Sequence, residues 1–439
     1  MIPGIERIKK FFSFRLILST GCLVLLCYSC KKEDEIDPVI VLEKPASQIT
    51  VSPADTILVQ ARITDNNTIQ KVTVQLLSIN FVPVSNALIL EPSTAEFNLS
   101  VNYILQNPQL TSGTYLISVT ASDGRNTAYA YREIYILALP QFRKSVFVLS
   151  KGTSGYIQIN KTDSFNQLQP FLSLPSDYTG SSIGSRDQVL YVLGQTTGGL
   201  TFIDANTAAL INSIPPNTPM GPPTFQYLHF NDNLNYISFY DGNIRAYDRN
   251  GIRQFEALQS GYARPAALLK TLDYVYVENY YSGAQQNRLE QYFFPGGNSN
   301  QIITLDLDII RMFEKSSDEL FLFGQKNGSA VLEKYNRLNN NIQLIRTFGN
   351  YQINAVYQYR NTVYYIATSV GLYRYDYDQN ALSPLTFAPI QGIEYDPLLN
   401  EFFLSENNIV RVLDGGNFSE KYTLSANDSI LNVLFLYDR

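Results

Sequence analysis

Val146-Phe147-Val148-Leu149 is the first of seven short apolar or aromatic runs that recur through the later two-thirds of this 439-residue chain. The others are Val189-Leu190-Tyr191-Val192, Leu234-Asn235-Tyr236-Ile237, Tyr274-Val275-Tyr276-Val277, Leu320-Phe321-Leu322-Phe323, Val363-Tyr364-Tyr365-Ile366 and Phe402-Phe403-Leu404. Their starts lie 43, 45, 40, 46, 43 and 39 residues apart. A second strand-like segment follows each run. In six modules it closes on an apolar residue plus Asn or Asp: Ile159-Asn160, Ile203-Asp204, Tyr247-Asp248, Tyr335-Asn336, Tyr375-Asp376 and Leu413-Asp414. The fourth module has Phe294-Pro295 instead. A unit of ~40–45 residues with four short strands reads as a β-propeller blade. Seven of them predict an all-β propeller over residues 141–439.

Short segments ahead of the runs supply an innermost strand for each blade: Ser182–Ser185, Tyr227–Phe230, Ala266–Leu269, Ile309–Met312, Asn354–Tyr357 and Gly392–Tyr395. The first module has none, because Ala138-Leu139-Pro140 leads almost directly into its run, whereas the C-terminus holds a spare, Ile430–Leu436. The spare strand is therefore expected to complete the first blade and close the ring, removing the edges an open array would leave.

Upstream, alternating patterns recur at Ile57–Ile63, Val72–Leu76, Phe97–Val101, Tyr115–Val119 and Tyr129–Ile136. Turn signals such as Asp65-Asn66-Asn67, Ser112-Gly113 and Asp123-Gly124 separate them. About seven strands in roughly a hundred residues predict an immunoglobulin-like β-sandwich over 46–139. The segment Gly113-Thr114-Tyr115 to Asp123-Gly124 resembles PKD-like or cadherin-like modules, which implies a corner tyrosine at Tyr115. The expected role of this domain is a spacer.

Residues 1–29 read as a signal peptide, with Arg7, Lys9, Lys10 and Arg15 ahead of an apolar stretch from Leu16 to Leu26. Cys27-Tyr28-Ser29-Cys30 follows, then Lys31-Lys32-Glu33-Asp34-Glu35. This resembles a bacterial lipoprotein signal with Cys30 as the acylated residue; Cys22 is the competing acceptor. The charged run is similar to the acidic stretch of Bacteroidota-type surface lipoproteins. It implies a tether over 30–45 and an outer-membrane protein facing the cell exterior. All three cysteines lie at or before position 30, so the folded domains hold no disulfide or thiolate metal site. Without residues 1–29 the chain keeps 29 basic and 38 acidic groups and no basic block, which argues against nucleic acid.

Blade two reads Leu190-Tyr191-Val192, then Gly199-Leu200-Thr201-Phe202-Ile203-Asp204-Ala205-Asn206-Thr207. This is similar to the repeat of YVTN/YncE-like seven-bladed propellers. Surface lipoproteins that join an anchor to such a propeller include cobalamin-capturing partners of outer-membrane transporters, which implies ligand capture as a role.

Catalytic sets are missing. The single histidine, His229, sits between Leu228 and Phe230 with no Gly-x-Ser-x-Gly elbow, which makes it structural. No cofactor and no metal is expected. With no Trp in the chain, sialidase Asp boxes, quinoprotein docking motifs and WD40 repeats are excluded. Glycoside hydrolysis requires only two spaced carboxylates, and Glu278, Glu394 and Glu406 are the candidates. The remaining expectation is ligand recognition by the rim that carries the connections from second to third strands and from each blade to the next. Its candidates are Tyr178, Gln195, Tyr240, Asp241, Tyr262, Arg264, Asn279, Tyr280, Tyr281, Gln325, Lys326 and Tyr351, with Lys151, Asn327 and Glu406 beside them. The connections Glu278–Asn287 and Pro215–Thr224 are the places expected to matter most. A non-enzymatic, lipid-anchored capture or docking protein is the leading reading, its ligand a glycan, a cobalamin-like molecule or another nutrient, or its partner an outer-membrane transporter. A polysaccharide hydrolase or lyase and a structural scaffold subunit are the alternatives.

Overall fold

The computed structural model describes residues 36–438 apart from 154, 217–223, 259–262 and 282. The chain divides after Pro140 into two compact units. In the first, two sheets enclose one core. One is ordered Val39–Lys44, Thr56–Ile69, Thr94–Ile104; the other Ile49–Val51, Thr127–Ile136, Gly113–Ser122, Lys71–Ser78, Leu88–Leu90. Alternation explains the packing, since Ile57, Val59, Ala61 and Ile63 on one strand all point into the core against Val72, Val74 and Leu76 of the other sheet. The Tyr115 hydroxyl donates to the Thr111 carbonyl four residues back, at 3.1 Å, as a corner tyrosine does. The expected tether is shorter than 30–45. Val39–Lys44 is a strand paired antiparallel with Thr56–Ile69, because Ile40 and Leu42 alternate with the exposed Val39 and Val41 and pack on the sandwich core.

The second unit is a seven-bladed propeller made of seven four-stranded antiparallel sheets. The innermost strands are Gly180–Gly184, Phe225–Asn231, Ala263–Lys270, Asp308–Ser316, Ile353–Arg360, Gly392–Asp396 and Ile430–Tyr437. Each contacts the next, and the last contacts the first, so the ring is closed. The recurrent apolar runs form the second strand of each blade, and their hydrophobicity, broken only at the buried Asn235, has a simple cause. Val146 and Val148 pack against the seventh blade, while Phe147 and Leu149 on the opposite face pack against the second. Likewise Leu320 and Leu322 face the fourth blade, and Phe321 and Phe323 face the sixth. A strand buried on both faces needs an apolar residue at every position.

The Asn or Asp that ends the third strand closes the turn to the fourth. Asp204 Oδ1 accepts from the backbone N–H of Asn206 and Thr207 at 2.9 and 2.8 Å. Asp248, Asn336, Asp376 and Asp414 do the same in blades three, five, six and seven. These are Asx turns, in which a side-chain oxygen replaces a backbone acceptor. In blade one the task falls to Asp163, which accepts from Phe165 and Gln167. Blade four has no acid there; the Phe294 ring packs instead against Phe255 and Tyr236 of blade three, at centroid distances of 5.6 and 6.4 Å.

Closure follows the expected route. Ile430–Tyr437 pairs antiparallel with Arg143–Lys151, in register from Ile430 opposite Ser150 to Tyr437 opposite Arg143. A buried ion cluster pins the same seam. One nitrogen of Arg143 lies 2.7 Å from both Asp396 and Glu401 of blade seven. Tyr437 donates to the other oxygen of Asp396 at 3.1 Å, and Lys421 reaches Glu401 at 2.6 Å. Truncation after Ser429 should abolish the cooperative melting of the whole propeller rather than fray one edge, as read by circular dichroism. Arg143→Ala leaves two buried carboxylates without their guanidinium and should cost about 3–5 kcal/mol in denaturant unfolding. A near-native transition in either variant would contradict this account of the seam.

Candidate functional site

The innermost strands leave an axial channel, and at its mouth lies a cavity of about 360 Å3. Among the described residues, six of the seven blades line it: Tyr178 and Ser181, Tyr227, Arg311, Asn354, Glu394, and Asn432 on the closing strand. A second cavity, of about 330 Å3, is lined by Arg311, Asn354, Tyr357, Gln358 and Glu394. The mouth wall is largely hydrogen-bonded. Tyr178 and Ser181 share a hydroxyl–hydroxyl bond of 3.0 Å, and Asn432 donates to Ser181 Oγ at 3.0 Å. Asn354 donates to the Ile390 carbonyl at 2.7 Å. One Arg311 nitrogen faces the Tyr227 hydroxyl at 3.4 Å.

Electrostatics single out Glu394. Half-buried in the channel wall, its carboxyl is pushed up to about 7 by desolvation, with Arg311 opposing the rise. Burial also raises the Tyr178 phenol to about 12. His229 lies on the inner strand of blade three, with Nε2 buried and without a hydrogen-bond partner. Desolvation, then the charges of Arg311 and Lys270, push it down to about 3. It is neutral near pH 7 and too weak a base for proton abstraction there.

The structure does not gather the twelve rim candidates into one site. Of those whose side chains are described, only Tyr178 lines the mouth cavity. Tyr262 and Cys30 fall outside the described residues, as does most of the Pro215–Thr224 connection; Arg264 pairs through its backbone with Tyr280. The stretch from Glu278 to Asn287 is not the long loop expected. Its two strands pair as far as Tyr281 opposite Gln286, because Tyr281 and Glu290 bond side chain to side chain at 2.6 Å and Arg288 covers the Tyr281 ring. Asn279 is wholly buried there, its amide atoms without hydrogen-bond partners, and Tyr280 stays partly exposed on the strand. Lys326 forms ion pairs of 2.8 Å with Asp306 and Glu333. Gln325 donates to the Tyr351 carbonyl at 3.2 Å, while the Tyr351 ring stacks on Tyr373. Asp241 accepts from the backbone and amide of Asn243, and the Tyr240 amide donates to Thr224. Glu406 is paired with Arg411 at 2.7 Å.

Gln195 belongs to a loop clamped by an unforeseen residue, Asp177. Its carboxylate accepts from the N–H groups of Gln195, Thr196, Thr197 and Gly198 at 2.7–3.1 Å. Burial opposes ionisation, yet those four donors hold the group below the ordinary carboxylate range. The loop tolerates only glycine at Gly198, where a Cβ would lie 1.7 Å from Ser176 Oγ.

Residues 38–119 match the family model for a bacterial Ig domain (Big_7). No curated protein matches the chain. Among solved structures, a quinoprotein alcohol dehydrogenase-like protein from Bacteroides thetaiotaomicron is 13% identical, with 91% of this chain and 99% of that one covered and a TM-score of 0.46. Apo AztD from Citrobacter koseri is 11% identical over 67% of this chain and 98% of its own, also at 0.46. The computationally designed Ika8 protein is 13% identical over 67% and 91%, at 0.45. Likenesses this distant say nothing of function.

Glu278, a candidate catalytic carboxylate by sequence, is buried between blades four and five and accepts from the Ile309 N–H at 3.0 Å. Desolvation pushes it up to about 8, so it is neutral near pH 7. A carboxyl raised in the folded state stabilises fully below its unfolded value near 4.3 and loses that contribution as pH rises through the folded value. Stability should therefore fall between pH 7 and 8 by up to about 1.4 kcal/mol per pH unit. Glu278→Gln keeps the acceptor and should remove that decline in urea unfolding at the two pH values; an unchanged slope would refute the assignment.

Proposed function

We propose that this protein is a non-enzymatic capture protein that takes a small polar ligand at the mouth of its propeller channel. One observation carries the reading: six blades direct an Arg, a Glu, two Tyr, two Asn and a Ser at one cavity of about 360 Å3. A concave site with a few convergent polar groups is the usual form of a small-molecule pocket. Against hydrolysis, Glu394 is the only acid among the described residues lining the two cavities, whereas a glycosidase pair requires two. The blade-two motif supports kinship with YVTN-like propellers, within which recognition of a nutrient or of a membrane transporter fits equally the absence of catalytic sets.

The test is calorimetry of the intact chain against neutral oligosaccharides, cobamides and peptides. Ala355 lines both cavities, so Ala355→Phe places a ring in the channel mouth and should weaken any ligand found at least tenfold. Flat titrations throughout, or a ligand indifferent to the plug, would sink the channel reading.

The anchor is a separate proposal, supported by the Ser29-Cys30 junction after an apolar stretch and by the charged run that follows. Cys30 carries the lipid and holds the protein on the outer membrane, facing outward. Cys30→Ser should abolish radiolabelled palmitate incorporation and release the protein from the membrane fraction. Labelling that survives Cys30→Ser but not Cys22→Ser would move the anchor to the earlier cysteine.

A further inference from the structure

Arg311 and Glu394 both line the mouth cavity and the second one, yet no direct ion pair joins them. Arg311 has one hydrogen bond, to Tyr227, and its remaining N–H groups are uncommitted among the described residues. Glu394 has neither a hydrogen bond nor an ion pair there. Opposite charges held apart in one partly enclosed space are costly unless something bridges them.

Resting on the capture reading above, we propose that the mouth cavity binds a small zwitterion, an amino acid or short peptide, with its carboxylate on Arg311 and its ammonium on Glu394. The alternatives fit the charges less well. A simple anion on Arg311 would leave Glu394 without a partner, and a simple cation on Glu394 would be repelled by Arg311. A neutral sugar would displace water from both and neutralise neither. Guanidinium–carboxylate contact is the bidentate geometry Arg favours. The size agrees: about 360 Å3 is the space of roughly a dozen water molecules, enough for a dipeptide. Asn354, whose amide N–H is committed to Ile390, keeps an oxygen able to accept from a peptide N–H. Burial favours the protonated form of Glu394; an arriving ammonium reverses that preference, so binding releases a proton.

Four matched probes test the idea on the intact chain by calorimetry: L-alanyl-L-alanine, its N-acetyl derivative, its C-terminal amide, and lactose. The dipeptide should bind at least tenfold tighter than each of the others. Arg311→Gln and Glu394→Gln should each weaken it tenfold or more, the first erasing discrimination against the amide and the second against the acetylated form. The probe series on the unaltered protein stands even if a variant fails to fold. If the acetylated or amidated probe binds as well as the dipeptide, the zwitterion is overturned. If lactose alone binds and Ala355→Phe abolishes it, the zwitterion falls while capture in the channel stands. Silence from all four also overturns the zwitterion, and the broader ligand panel then decides the capture reading separately.

Discussion

The ladder between Ile430–Tyr437 and Arg143–Lys151 is the constraint on which the second unit depends. Blade one has only three strands of its own, and the fourth arrives from nearly three hundred residues downstream. Every interblade core is a contact between two sheets, so a missing inner strand exposes one face of blade two as well as an edge of blade one. The cluster of Arg143, Asp396, Glu401, Lys421 and Tyr437 sits on this seam. Its charges are satisfied only when blades one and seven are side by side, which makes it specific to the closed ring. The channel mouth depends on the seam too, since Asn432 and Leu431 line it from the closing strand.

The architecture was legible because its physics is periodic. A strand covered on both faces must be apolar at every position, which is why Val146–Leu149 and Leu320–Phe323 stand out against a chain with few charges. The turn after the third strand needs an oxygen two or three residues ahead of an unpaired N–H, which is why Asp204, Asp248 and Asp414 recur at matching places. The candidate site was not legible for the opposite reason. Each of six blades contributes one or two of the polar side chains named, from Ser181 to Asn432, and each alone looks like an ordinary polar residue on a half-buried strand. Aligning the inner strands and asking which carry a charge would have singled out Arg311 and Glu394. Composition misled at Glu278–Asn287: a polar stretch with a glycine resembles a loop, but Tyr281, Arg288 and Glu290 satisfy one another and extend the ladder.

The carboxylates show how one fold places the same group in different chemical settings. Asp177 is ionised by four backbone donors, Glu333 is balanced by Lys326, and Glu290 is held between the hydroxyls of Tyr281 and Tyr292. Glu278 accepts from the backbone N–H groups of Ile309 and Ala267, yet desolvation outweighs them and it stays protonated. Glu394 differs from all of these in opening onto a cavity. The abundance of tyrosine serves the same design, because a ring fills the space between blades while its hydroxyl reaches a buried acid.

Joining the propeller's first strand to its last also orders events in time. A chain emerging stepwise, from a ribosome or through an export channel, can form blades two to seven one after another as each becomes available. The first blade must wait, its partner strand still unmade or untranslocated, until Ile430–Tyr437 emerges. Maturation of the mouth cavity is thus deferred until Ile430–Tyr437 has emerged, and no nascent fragment lacking that strand can complete the cavity wall.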